Sequence, residues 1–111
     1  MTTSTSWQPV CQLDDILPNT GVCALVEGRH IAIFRVGEND CYALDNIDPK
    51  SGASVLSRGL VGNLGESLVV ASPLYKQHFD LRSGACIEMP ELSLQPYPVR
   101  YEDRQVLIQL S

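Results

Sequence analysis

The sequence lacks both long hydrophobic runs and an excess of positive charge. In its 111 residues, no apolar stretch approaches the ~18 residues that a membrane-spanning helix requires. Lys and Arg total 8 against 13 Asp and Glu, so the net charge is −5 at pH 7. Because nucleic-acid phosphates bind clustered positive charge, the composition predicts no nucleic-acid partner and no membrane insertion. The acidic composition is more consistent with a protein partner than with nucleic acid or a membrane.

The cysteines are few, and their spacing is not that of a metal-binding or redox-active pair. Cys11, Cys23, Cys41 and Cys86 include no Cys-x-x-Cys pair, which argues against a zinc knuckle or a redox dithiol. Residues 1–7 contain no apolar run of the kind found in signal peptides, so we expect a cytoplasmic location, where disulfides are rare. Each cysteine lies in or beside an apolar stretch, and we interpret all four as small buried hydrophobic residues.

Helical periodicity is also missing, because no segment keeps a 3.6-residue apolar period over three turns. Short β-type runs recur instead, separated by turn residues. Strands are expected over 7–10, 22–26, 31–36, 41–44, 67–71, 77–81, 86–88, 99–101 and 106–110. Residues 13–17 form a helical turn at most, and 62–66 are expected to form a glycine-rich hairpin loop. The pattern predicts one all-β domain over 7–111, with no internal repeat, after a flexible N-terminus over 1–6.

Two segments carry the strongest signal. The first segment, 45–53, reads Asp-Asn-Ile-Asp-Pro-Lys-Ser-Gly-Ala, and the second segment, 71–84, reads Ala-Ser-Pro-Leu-Tyr-Lys-Gln-His-Phe-Asp-Leu-Arg-Ser-Gly. They resemble the two cluster-binding loops of a Rieske iron–sulfur domain, which read Cys-Pro-His and Cys-Pro-x-His, the latter followed by Phe-Asp-x-x-x-Gly. The prolines and the Phe-Asp-x-x-x-Gly residues are retained. The four ligand positions hold Asp48, Lys50, Ser72 and Tyr75.

These four residues do not form a Rieske ligand set, which consists of two Cys and two His. A carboxylate, an ammonium group and two hydroxyls are poor substitutes for thiolate and imidazole donors. His78 follows the last ligand position by three residues, but it adds one donor where four are needed. The sequence therefore predicts no metal, no cofactor and no catalytic residue in this chain. Asp14 and Asp15 are interpreted as a solvated turn or helix start rather than an acid–base pair.

A narrower resemblance covers residues from about 7 to 110. The residues that carry it lie in 14–25, 31–35, 46–49, 54–60 and 71–74. They are similar to the small subunits of assimilatory NAD(P)H-dependent nitrite reductases, in which a ligand-free first loop reading Asn-Ile-Asp-Pro is typical. The resemblance implies a Rieske-like antiparallel β-sandwich of short strands.

The same resemblance implies a division of labour within a complex. A large subunit would carry FAD, siroheme and an iron–sulfur cluster, and it would reduce nitrite to ammonium with electrons from NAD(P)H. This chain would be its non-catalytic partner, without independent activity. We hypothesise that the two segments form a docking tip for the large subunit. The residues expected to contribute are Asp48, Pro49, Lys50, Ser72, Pro73, Tyr75 and Lys76.

Other interpretations stay open on the sequence. The two segments could persist only as connectors whose prolines set the turns. The chain could serve as a ligand-free Rieske-like interaction module of another oxidoreductase, which only the identity of its partner would distinguish. A free-standing Rieske-type ferredoxin is the third possibility, and the missing ligands oppose it.

Overall fold

A computed structural model describes residues 7–74 and 76–110. It contains ten short strands: β1 (Gln8–Gln12), β2 (Thr20–Val26), β3 (Arg29–Val36), β4 (Asp40–Asp45), β5 (Leu60–Leu64), β6 (Ser67–Ala71), β7 (His78–Asp80), β8 (Pro96–Tyr97), β9 (Val99–Glu102) and β10 (Gln105–Ile108). The helical content of these residues is three short 3-10 turns, at Leu13–Asp15, Leu56–Arg58 and Pro90–Leu92. The all-β prediction is therefore confirmed. Over the described residues, no helical segment has the length and hydropathy of a membrane span. The predicted flexible N-terminus, 1–6, lies outside the described residues.

The strands form three antiparallel sheets, with the orders β1-β10-β9, β2-β3-β4-β8 and β5-β6-β7. β3 explains how these sheets share two cores. Successive side chains of a strand point to opposite faces of its sheet. Ile31 and Ile33 accordingly belong to one buried cluster with Val106 of β10. Ala32 and Phe34 belong to another buried cluster, which includes residues of β6 and β7. The second of these cores underlies the two segments singled out in the sequence.

The strand predictions are accurate where hydrophobic residues dominate and wrong where they do not. The predicted strand 67–71 coincides with β6. The predicted hairpin loop 62–66 is wrong in its first half, because β5 runs through Gly62 and Asn63, which pair with Val69 and Leu68. Cross-strand pairing has overridden the weak β propensity of glycine and asparagine there. Only positions 65 and 66 form the turn.

Two further differences come from pairings of very few residues. The expected strand 86–88 is reduced to an isolated bridge between Phe79 and Cys86. β8 has two residues and was not expected, but it pairs with Ala43 and Leu44 of β4. A run of two residues carries no periodicity, so the sequence offered no signal for it.

Candidate functional site

The first and second segments meet at one end of the molecule, which we call the tip. The first segment follows β4 of the four-stranded sheet, whereas the second begins at the end of β6 in the β5-β6-β7 sheet. The contact between them joins Asp48 to Ser72. Both residues are fully buried, with 0% of their surface exposed. The structure thus brings together two of the four ligand positions predicted from sequence.

Asp48 makes bonds to both segments. Its Oδ2 accepts a hydrogen bond from the Ser72 hydroxyl at 2.5 Å. Its Oδ1 accepts from the backbone N–H groups of Lys50 at 2.8 Å and Ser51 at 3.3 Å. A buried carboxyl group needs such partners, because an unpaired one would carry a large desolvation cost. Asp48 therefore stabilises its own turn and links it to the second segment.

Ser72 is the base of the loop that leads into β7. Its backbone N–H donates to the carbonyl of Gln77 at 2.8 Å, and its carbonyl accepts from the N–H of Lys76 at 3.0 Å. These two bonds close the loop on itself, so the position of Ser72 sets the positions of Pro73, Leu74 and Lys76.

The turn at 48–53 occurs a second time at 80–85, where Asp-Pro-Lys-Ser-Gly-Ala is matched by Asp-Leu-Arg-Ser-Gly-Ala. In each copy the Asp carboxyl accepts from the amides two and three residues later, at 2.8 and 3.3 Å in one and 2.8 and 3.0 Å in the other. The Asp carbonyl accepts from the Gly N–H at 2.7 and 2.8 Å. A six-residue turn is therefore used twice, and its first copy is also bonded to the second segment, through Asp48 and Ser72.

The residues at the ligand positions do not fit a [2Fe-2S] cluster. Asp48 and Ser72 already satisfy each other, and the position of Lys50 offers no soft donor. Tyr75 lies outside the described residues. Within 7–74 and 76–110, no three His, Cys, Asp or Glu side chains converge on a common point. His78 is instead bonded to Glu88, whose Oε2 lies 2.6 Å from its Nδ1.

Burial divides the residues predicted to dock. Asp48 and Ser72 face the interior, so the expectation that the tip presents their side chains to a partner is corrected. Pro49 is half-buried, whereas Lys50, Pro73 and Lys76 are exposed.

Exposed apolar side chains lie on the same part of the tip as these lysines. Leu60 is 78% exposed, and Ile47 and Leu74 also lie open to solvent. A shallow depression of about 130 Å³ lies at the tip and is lined by Arg58, Gly59, Leu60, Ala71, Ser72, Pro73 and Lys76. We call the exposed residues the tip face: Ile47, Lys50, Arg58, Leu60, Pro73, Leu74 and Lys76. The sequence reasoning missed Arg58 and Leu60, because they reach the tip only through the pairing of β5 with the end of β6.

Asn46 fixes the start of the first segment through hydrogen bonds to neighbouring parts of the chain. Its side chain donates to the Ser54 hydroxyl at 2.7 Å and accepts from the Ser57 N–H at 2.6 Å. Its backbone N–H donates to the carbonyl of His30 at 2.8 Å. Asn46 is fully buried, so these bonds explain why the Asn-Ile-Asp-Pro sequence begins with an amide.

The cysteines follow the prediction in part. Cys86 is buried, and Cys11 and Cys41 are half-buried, and all four thiols are free. Burial raises the pKa of Cys11 to about 11 and also raises the pKa of Cys41. Cys23 is exposed, which corrects the expectation of burial. It shares the outward face of β2 with Leu25, because residues two apart in a strand point the same way.

Comparison with known proteins identifies the scaffold. Residues 6–109 match the family model of the Rieske-like [2Fe-2S] domain. The NADH nitrite reductase small subunit of Salmonella typhimurium is 51% identical over 98 residues, covering 87% of this chain and 91% of that protein. The solution structure of the nitrite reductase [NAD(P)H] small subunit from Erwinia carotovora is 50% identical. It has a TM-score of 0.83 and covers 95% of this chain and 82% of its own.

One relative has a different organisation. The nitrite reductase [NAD(P)H] large subunit of Klebsiella oxytoca is 44% identical to this chain over 105 residues. The match covers 95% of this chain but 11% of that protein. A homologous module is thus part of a large-subunit polypeptide in that organism.

Proposed function

This chain belongs to the Rieske-like [2Fe-2S] domain family and, within it, to the small subunits of NADH nitrite reductase; from this membership we propose that it supports a nitrite-reducing complex without a redox centre of its own. The large subunit would carry the FAD, siroheme and iron–sulfur cluster of nitrite reduction to ammonium, in the cytoplasm. The observation that carries the proposal is the buried Asp48–Ser72 hydrogen bond at the ligand positions of a nitrite reductase small subunit. The bond indicates that the Rieske-like fold is retained while two of its ligand positions now form a hydrogen bond to each other.

We further propose that the tip face binds the large subunit. In a chain of net charge −5, the tip face gathers three exposed cations, Lys50, Arg58 and Lys76. The same face carries exposed apolar side chains, of which Leu60 is the most open. This combination favours a partner surface that offers both apolar and acidic side chains. The Klebsiella oxytoca large subunit supports the choice of partner, because a module similar to this chain is part of the large-subunit polypeptide there.

The first experiment mixes the purified large subunit with and without this chain. Co-elution on a sizing column, together with a higher rate of nitrite-dependent NADH oxidation, is the expected result. A folded chain that neither co-elutes nor changes the rate would contradict the subunit assignment. That result would favour the alternative that the chain is a Rieske-like interaction module of another oxidoreductase.

The tip face is tested with matched substitutions. Leu60→Ser is expected to weaken binding about tenfold if Leu60 lies at the centre of the interface, where the truncations that cost more than about 1 kcal/mol are concentrated and about 1.4 kcal/mol is tenfold. Leu25→Ser is the control, because Leu25 is 70% exposed on β2, in another sheet. The double variant Lys50→Glu and Tyr75→Ala reverses one positive charge in the first segment and removes an aromatic side chain from the second, so it tests the contribution of both segments to binding. Equal binding by all of these variants would remove the tip face as the interface.

A further inference from the structure

In a Rieske domain, each of the two cluster-binding loops supplies one Cys and one His, so the cluster joins one loop to the other. Here the two Cys positions hold Asp48 and Ser72, which are 24 residues apart in sequence and bonded at 2.5 Å. The same two positions therefore still join the loops, through a hydrogen bond between protein groups.

The repeated turn shows that this connection is more than local turn chemistry. Asp48 and Asp80 make equivalent bonds to the amides two and three residues later. Asp80 is half-buried, whereas Asp48 is fully buried and uses its second oxygen for the Ser72 hydroxyl. The turn alone requires neither the burial nor the hydroxyl partner, so both belong to the contact between the segments.

The contact also lies directly beneath the tip face. Ser72 closes its loop through bonds to Gln77 and Lys76, and its hydroxyl accepts weakly from the N–H of Leu74 at 3.4 Å. Pro73, Leu74 and Lys76 are exposed members of the tip face on that loop. A shift of Ser72 would therefore move the surface that the partner meets.

We propose that the Asp48–Ser72 hydrogen bond replaces a metal cross-link between the two loops and sets the shape of the tip face without iron. Asp48 and Ser72 are then positioning residues for docking, and they act from beneath rather than by contact with the partner. The docking consequence rests on the proposed function, whereas the loop connection is a property of the isolated chain.

The test measures amide hydrogen exchange by NMR on the isolated chain. Asp48→Ala is expected to speed exchange of the Lys76 N–H, in the other loop, about tenfold, as loss of one buried hydrogen bond to a carboxyl group implies. Ser72→Ala is expected to speed exchange of the Gly52 N–H, in the first loop, by a similar factor. Asp80→Ala is the control, since it removes the equivalent turn bonds and should speed exchange only within its own turn, at the N–H groups of residues 82–84, while the Lys76 and Gly52 N–H groups stay unchanged.

Effects confined to the mutated loop in both variants would overturn the inference. If Asp48→Ala does not fold, Ser72→Ala decides the question, because it deletes one oxygen and leaves the turn of Asp48 intact; Ser83→Ala is its control. Iron analysis of the chain, expressed with added iron, should find no stoichiometric metal, and a chelator should leave the exchange pattern unchanged. Iron bound at one cluster per chain would also overturn the inference.

Binding to the large subunit separates this inference from the proposed function. Ser72→Ala is expected to weaken binding several-fold if the tip face docks. Faster exchange across the loops with unchanged affinity would uphold the cross-loop connection and contradict docking through the tip. Unchanged exchange would contradict the connection, whatever the affinity.

Discussion

Gly52 and Gly84 share a left-handed backbone angle, φ +79°, at the same place in the two copies of one turn. Only Gly84 packs against another part of the chain. A Cβ on Gly84 would lie 2.0 Å from the backbone carbonyl oxygen of Leu94, whereas nothing lies within 4 Å of a Cβ on Gly52. The two glycines therefore have the same conformational requirement and different steric requirements.

This difference predicts unequal costs for the same substitution. Gly52→Ala should cost about 1 kcal/mol, since left-handed backbone disfavours a side chain. Gly84→Ala should cost more than about 3 kcal/mol or prevent folding, because a backbone atom must also move. Urea unfolding of both variants measures this, and equal losses of stability would contradict the packing at Gly84.

Thiol labelling should discriminate among the cysteines. Near neutral pH, iodoacetamide is expected to modify exposed Cys23 first, because the thiolate is the reactive form and must be accessible. Cys11, with its pKa raised to about 11 by burial, should react quickly only as the pH approaches that value. Peptide mapping by mass spectrometry locates the label. Cys23→Ser should abolish the fast reaction, and rapid neutral-pH labelling of Cys11 would contradict its burial.

Glu88 should make a pH-dependent contribution to stability. The backbone N–H of His78 donates to its carboxylate at 2.8 Å and, with the His78 side chain, holds the pKa of Glu88 below its usual range. A folded pKa below the unfolded one means that the contribution is present at neutral pH and is lost as the pH falls through the folded pKa.

Glu88→Gln is therefore expected to lower stability by about 0.5 kcal/mol at neutral pH, a small value because the pair is solvent-screened. The difference from wild type should shrink below the unfolded pKa of about 4.3 and disappear below the folded value. Glu91→Gln, which removes the same charge three residues later, is the control. Urea unfolding across this pH range measures both, and a constant difference for Glu88→Gln would refute the assignment.

Tyr97 connects β8 to the start of the first segment. Its hydroxyl donates to Asp45 at 2.6 Å, and the residue is 6% exposed. Tyr97→Phe should cost about 1–2 kcal/mol, because a partly buried bond to a carboxyl group is lost. Tyr101→Phe, at a tyrosine that is 39% exposed, should be close to neutral. Chemical denaturation distinguishes them, and a neutral Tyr97→Phe would show that the bond does not stabilise the fold.

The sequence determined the features that depend on residue type and on near neighbours. The absence of Cys and His at positions 48, 50, 72 and 75 excludes the Rieske ligand set on residue type alone. Alternating β-type runs indicate an all-β fold, and β6 is predicted to the residue because its apolar run is continuous. The proline and glycine positions indicate turns for the same local reason.

Tertiary structure decided everything that depends on contacts between distant residues. The hydrogen bond between Asp48 and Ser72 spans 24 positions, and no local pattern reports which donor a carboxyl will meet after the chain closes. Likewise, Gly62 joins β5 because β6 lies beside it, and Cys23 is exposed because its side of the sheet is left open. Periodicity shows that a strand has two faces, but only the packing of the sheets selects which face is covered.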